Sequence, residues 1–161
     1  METFVLIKTG LVFHLVGIVL MAGFTAASLV TFRKAATLMN GQEEKAIFLL
    51  TGISSYAKLQ MAGALLLLAG GVIMMIGYHG TVMQMLWFKI KLIALGLIIL
   101  NQVVAGRRAG NSLKHFLGTY EKLQIINKPG FTYAGKRLRI FYGGQLIFIL
   151  AIFILSAFRF T

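Results

Sequence analysis

Two ionisable side chains, His14 and Lys91, stand inside apolar stretches of this chain, and each has a chemistry to offer there. A neutral imidazole either hydrogen-bonds a neighbouring helix or serves as an axial ligand to haem iron. An ammonium in hydrocarbon costs about 3 kcal/mol unless it snorkels to the headgroups or meets an anion. Glu2, Glu43, Glu44 and Glu121, the only carboxylates, lie outside the apolar runs. An intramembrane anion for Lys91 would therefore arrive as a ligand, and the propionates of a porphyrin would serve. Trp87, Lys91, Ala94, Ile98, Asn101 and Ala105 share one helical stripe, so Lys91 and Asn101 can face inward together. Lys89 points about 200° away from Lys91 and is the better candidate for snorkelling, with Trp87 as an interfacial anchor.

A second constellation is Met74, Met75, His79, Met83 and Met85, clustered around one short connection. Thioether and imidazole ligands suit Cu(I), although methionine is also common filler in apolar helices. Asn101, Gln102 and Gln145 read as interhelical hydrogen bonds, each worth about 1 kcal/mol.

Composition narrows the setting. Apolar residues make up 58% of the 161 and charged residues 12%, where a soluble domain carries about 25% charge. The chain reads as an integral membrane protein. The absence of cysteine excludes disulfides, thioether haem attachment, iron-sulfur clusters and thiol catalysis. A net charge of +12 can signal nucleic acid, but here the basic residues flank apolar runs, which fits anionic lipid and membrane topology instead. No phosphate-binding glycine loop, zinc-type His pair or serine nucleophile with a base is present.

The elements that must position these residues follow from the apolar runs. An all-α, four-helix antiparallel transmembrane bundle is expected, a single domain with spans over about 10–31, 56–78, 86–105 and 140–158. The first lacks the basic start and cleavage site of a signal peptide and reads as a mature helix. On it His14, Ile18, Met21, Thr25 and Ser28 form a less apolar face that should look into the bundle. The second is the small-residue helix, with Gly63, Gly70, Gly71 and Gly77 suited to close packing in lipid. The short connection at 79–84 makes spans two and three antiparallel neighbours. Over about 111–127, Leu113, Phe116, Leu117, Tyr120 and Leu123 recur at helical spacing beside Lys114 and Lys122. That pattern predicts a basic amphipathic helix lying on the membrane surface, capped by Asn111 or Ser112 and stopped by Asn127-Lys-Pro-Gly130.

Of the 16 Lys and Arg residues, all but Lys8, Lys89, Lys91 and Arg159 lie between spans one and two, at the border of span two, or between three and four. The positive-inside rule then places both termini outside and the basic loops in the cytoplasm, as in a bacterial inner membrane protein. His14, Lys91 and His79 fall on the outer side, and His115 on the cytoplasmic one.

Three stretches carry a family resemblance. Phe13-His-Leu-Val-Gly-Ile-Val-Leu-Met-Ala-Gly23, Trp87-Phe-Lys-Ile-Lys91-Leu92 and Leu138-Arg-Ile-Phe-Tyr-Gly-Gly-Gln145 resemble motifs of the HemJ-type protoporphyrinogen oxidase family and the related CopD-like membrane domains. Met21 stands where the family carries Trp, and Tyr142-Gly-Gly-Gln145 where it carries Asn-Glu-x-Pro. The resemblance implies haem b bound through His14, with Lys91, Met21, Trp87, Asn101 and Gln145 around the same pocket. It also implies oxidation of a porphyrinogen with electrons passed to a quinone or another membrane acceptor. A copper-handling protein of CopD-like character is the first alternative, and a non-catalytic scaffold or subunit the second. Membrane lipid is the expected surroundings, nucleic acid is not an expected partner, and a homo-oligomer is left open.

Overall fold

The computed structural model describes residues 2–79, 81–123 and 127–157. Among these there is no strand. Helix α1 (Glu2–Leu38) and α2 (Glu43–Gly77) are followed by a 3₁₀ turn over Thr81–Gln84. Then come α3 (Leu86–Asn101), a π-helical turn (Gln102–Gly106), α4 (Arg107–Leu123) and α5 (Lys128–Ala157). Four stretches, Thr3–Leu38, Glu43–Gly77, Leu86–Leu123 and Lys128–Ile154, are long and apolar enough to cross a membrane. With 37 residues, α1 is about 55 Å long, well beyond roughly 30 Å of hydrocarbon. The first expected span is thus the middle of a longer rod, the second and fourth are the C-terminal parts of theirs and the third the N-terminal part of its own, with Tyr78 just past α2; Phe158 lies outside the described residues.

The tightest contact in the bundle runs along one face of α1 and one of α2. Gly10 and Gly17 on α1, and Gly63, Gly70 and Gly77 on α2, recur at seven-residue intervals. A seven-residue repeat keeps one seam in register when two helices wrap around each other. A methyl group at Gly10 would come within 2.9 Å of the Gly70 carbonyl oxygen, and one at Gly63 within 2.7 Å of the Met21 nitrogen. At Gly17 it would strike the Leu67 backbone nitrogen. Backbone meets backbone here, so dispersion is gained over the whole seam where lipid supplies no hydrophobic drive. The rings of Phe24 and Tyr56, 5.8 Å between centroids, stand at the next position of the same repeat.

Two buried apolar clusters lie along the bundle. Toward the N-terminal end of α1, Met21, Leu67, Ile98 and Ile149 meet, one from each long rod. At the basic end, Phe32 of α1 and Met39 just past its end, Leu50 and Ile53 of α2, Leu113 and Phe116 of α4, and Leu138 and Phe141 of α5 form the larger cluster. The expected inward face of the first helix is confirmed at Met21, Thr25 and Ser28, all fully or almost fully buried.

The structure differs from expectation in three places. First, α3 packs along α5, and no comparable contact joins it to α2, so spans two and three are not packed neighbours. A short connection fixes chain direction but not lateral contact when the third rod can lean on a fourth. Second, no separate surface helix begins near 111. The rod continues from α3 through the π turn into α4, and Ser112 bonds back to the Arg108 carbonyl at 2.8 Å instead of capping a new start. The apolar stripe Ala109, Leu113 and Phe116 is buried against α1, α2 and α5 rather than turned to lipid. Third, Asn127 begins α5: its Oδ1 accepts the Gly130 N–H at 3.0 Å, the geometry of a helix N-cap, and Lys128 and Pro129 open the first turn. The helix end expected over 124–126 lies outside the described residues.

If α4 is core and not membrane surface, truncating its stripe opens a cavity. Phe116→Ala should lower unfolding stability by about 3–5 kcal/mol, while Phe48→Ala, at a side chain 79% exposed, should change little. Unfolding of the two variants in detergent checks this, and equal stabilities would return α4 to the membrane surface.

Candidate functional site

The glycine seam fixes His14. Gly70 packs directly beneath the His14 backbone, and the ring lies over the next turn of α2, where His14 Nδ1 is 3.0 Å from the Leu67 carbonyl oxygen. A carbonyl only accepts, so Nδ1 must carry the proton and donate. The other nitrogen, Nε2, is left with its lone pair, the tautomer an iron ligand requires. The ring is half-buried. A methyl group at Gly71, one turn from Leu67 on the same side of α2, would stand 3.9 Å from His14 Nδ1. His14 therefore sits on the side of α2 that carries Leu67 into the four-helix cluster.

Lys91 has the matching register on α3. It precedes Ile98 by seven residues, as His14 precedes Met21 by seven, and Met21 and Ile98 belong to the same buried cluster. Two turns above that cluster, each side chain projects from the inward stripe of its helix. The Lys91 ammonium lies 4.6 Å from the Trp87 ring centroid, a cation–π contact that holds it at the half-buried edge of the bundle. Lys89 is exposed, as expected of the snorkelling lysine. α3 packs along α5, and no comparable contact joins it to α1 or α2. Two turns below His14 and Lys91 lies the apolar floor of Met21, Leu67, Ile98 and Ile149.

Below that floor lies a polar layer that draws one residue from each rod: Thr25, Gln60, Asn101 and Gln145. Thr25 Oγ1 donates to the Met21 carbonyl at 2.6 Å, and Gln60 Nε2 donates to Thr25 Oγ1 at 2.8 Å. Asn101 Nδ2 donates to Gln145 Oε1 at 2.9 Å and to the Phe141 carbonyl at 3.3 Å. Asn101 and Gln145 thus fall beneath that floor and not beside His14, and they join α3 to α5. Gln60 and Thr25 were not singled out as site residues. A glutamine deep in an apolar helix was the available signal for the first.

The Met and His group at the α2–α3 connection is divided. The Met74 side chain packs on the α1 seam, where a methyl at Gly10 would lie 2.8 Å from its Cγ. Met85 Sδ accepts the Trp87 indole N–H at 3.2 Å. Met75 is half-buried, and Met83 and His79 are exposed. His79 adopts a left-handed backbone, φ 51°, just past the end of α2, where its N–H closes on the Ile76 carbonyl at 3.0 Å. That is the position where helices usually place glycine or asparagine. No group of three His, Cys, Asp or Glu gathers among the described residues. His115 lies at the opposite end, in a shallow hollow of about 280 Å³ between α4 and α5, near which Arg137 stacks on Tyr133 and donates to Ser112.

No protein-family model, curated protein or solved structure matches this chain.

The Asn101–Gln145 bond should be measurable as coupling. In a double-mutant cycle with Asn101→Leu and Gln145→Leu, the interaction energy should be about 1 kcal/mol, within the range found for interhelical hydrogen bonds in lipid. Additive losses in unfolding stability would show that the pair does not join α3 to α5.

Proposed function

We propose that this chain is a membrane protein that binds haem b or a related porphyrin in a cleft between the His14 and Lys91 stripes. The observation that carries the reading is the His14 Nδ1 contact to the Leu67 carbonyl, which orients the imidazole and leaves Nε2 as the free donor atom. The residues fit such a guest in three further ways. Lys91 offers an ammonium at the half-buried edge, where propionates would sit closest to the headgroups. Trp87 offers an aromatic face beside it. The apolar floor of Met21, Leu67, Ile98 and Ile149 suits a macrocycle that excludes water.

In this reading His14 would hold the iron through Nε2, with the Leu67 carbonyl orienting its ring and raising its basicity. Lys91 would pair with a propionate. Haem would supply one-electron chemistry, and the activity that goes with the HemJ resemblance is removal of hydrogens from a porphyrinogen with transfer of electrons to a quinone or similar membrane acceptor. Both termini would lie outside the cytoplasmic membrane, with the basic end in the cytoplasm near anionic lipid.

The test is the absorption spectrum of the full chain, purified in mild detergent and titrated with haem. A Soret band should form, His14→Ala should weaken binding by tenfold or more, and Lys91→Met should weaken it about tenfold, or about 1.4 kcal/mol. Haem affinity unchanged in both variants, or no Soret band at all, would sink the proposal. Cu(I) binding lost in His79→Ala with Met83→Leu would favour the copper reading instead.

A further inference from the structure

At the basic end of the bundle, α4 and α5 leave a hollow of about 280 Å³ between them. Ser112, His115 and Thr119, spaced by three and four residues, line it from one face of α4. Asn127, Gly130 and Tyr133 line it from the start of α5. Phe116, 3% exposed, closes it toward the apolar core. Arg137 is fastened across one end: its guanidinium lies 4.3 Å from the Tyr133 ring centroid, and Nη1 donates to Ser112 Oγ at 3.2 Å. Stacking and that bond hold the plane of the group, while the rest of its planar fork carries further donors.

The charge here has one sign. No carboxylate lines the hollow among the described residues, and Glu121, the acidic residue of α4, stands about 180° around the helix from Ser112. The start of α5 adds the positive end of a helix dipole, and Asn127 Oδ1 already orders its first turn through the Gly130 N–H. A guanidinium fork, a helix start and hydroxyl groups together answer a phosphoryl group, whose oxygens accept from several directions at once. Position decides where that group comes from. The apolar runs end at Ala105 before α4 and begin at Ile140 within α5. Ser112 and Tyr133 each lie about 10 Å of helix rise beyond those limits, whereas a headgroup layer is about 5–8 Å deep. We propose that this hollow binds the phosphate group of a soluble phosphorylated compound, held by Arg137, Ser112 and the first turn of α5. His14 and Lys91 are at the other end of the bundle, so the site does not depend on whether a porphyrin binds there.

The test is NMR of the full chain, isotope-labelled at histidine, in phosphatidylcholine nanodiscs titrated with inorganic phosphate at constant pH and ionic strength. The histidines make the measurement local, since His115 lines the hollow while His14 and His79 lie away from it. Phosphate should shift the His115 imidazole signals saturably and leave those of His14 and His79 in place. Arg137→Gln should weaken the apparent affinity about tenfold or more, while Lys136→Met, at an exposed position beside it, should change it less than about twofold. No saturable shift in the unmodified chain, or the same shift at all the histidines, would overturn the proposal even if Arg137→Gln fails to fold. So would an unchanged affinity in a folded Arg137→Gln. If phosphatidic acid in the nanodisc produces the His115 shift and blocks phosphate, the site belongs to a lipid headgroup and the soluble assignment is overturned.

Discussion

The contact of two backbones, α1 against α2, is the constraint on which the rest of this structure depends. In lipid an apolar side chain gains little by leaving acyl chains for protein, so helices associate where they can approach closely and match in shape. The glycines at 10, 17, 63, 70 and 77 provide that approach. The close pair also settles where polar groups go. His14 lies between Gly10 and Gly17, and only at that helix spacing does its ring reach the Leu67 carbonyl. Two turns below Leu67, the same closeness lets Gln60 meet Thr25.

The second rod pair is held differently. Between α3 and α5 the joining contact at mid-height is a side-chain amide, Asn101, answered by Gln145 and the Phe141 carbonyl. The π turn that follows Asn101 widens the helix just before Gly106 packs against the Phe141 ring, and from there the rod changes character. Below the turn, all four rods meet in one apolar core; above it, α3 packs along α5, and its Ile98 joins Met21 and Leu67 in the smaller cluster. The haem-binding reading places its guest above that cluster.

Much of the architecture was legible from residue patterns. Four apolar runs, the small-residue character of α2, the inward face of α1 and the exposure of Lys89 all follow from length, helical spacing and the cost of charge in hydrocarbon. What was not legible has one physical cause. A lipid-facing stripe and a core-facing stripe are both apolar, so Leu113 and Phe116 read equally well as membrane anchors and as the core residues they are. The partner of α3 was hidden for the same reason. Gly10 and Gly17 are too few on α1 to mark a seven-residue repeat by themselves; only the pairing with Gly63 and Gly70 on α2 gives their spacing meaning. The site was half legible: His14 and Lys91 stood out by chemistry, while the Leu67 carbonyl that orients His14 carries no signal in a side chain.

The most direct measurement is proton-detected solid-state NMR of the full chain in lipid bilayers, with assigned glycine α-protons. Cross-peaks should connect Gly10 to Gly70 and Gly17 to Gly63, since the backbones touch at both points. If those glycines instead correlate only with their own helix and with acyl-chain protons, α1 and α2 are not sealed together. His14 would then lose its carbonyl partner, and the cleft would lose its wall.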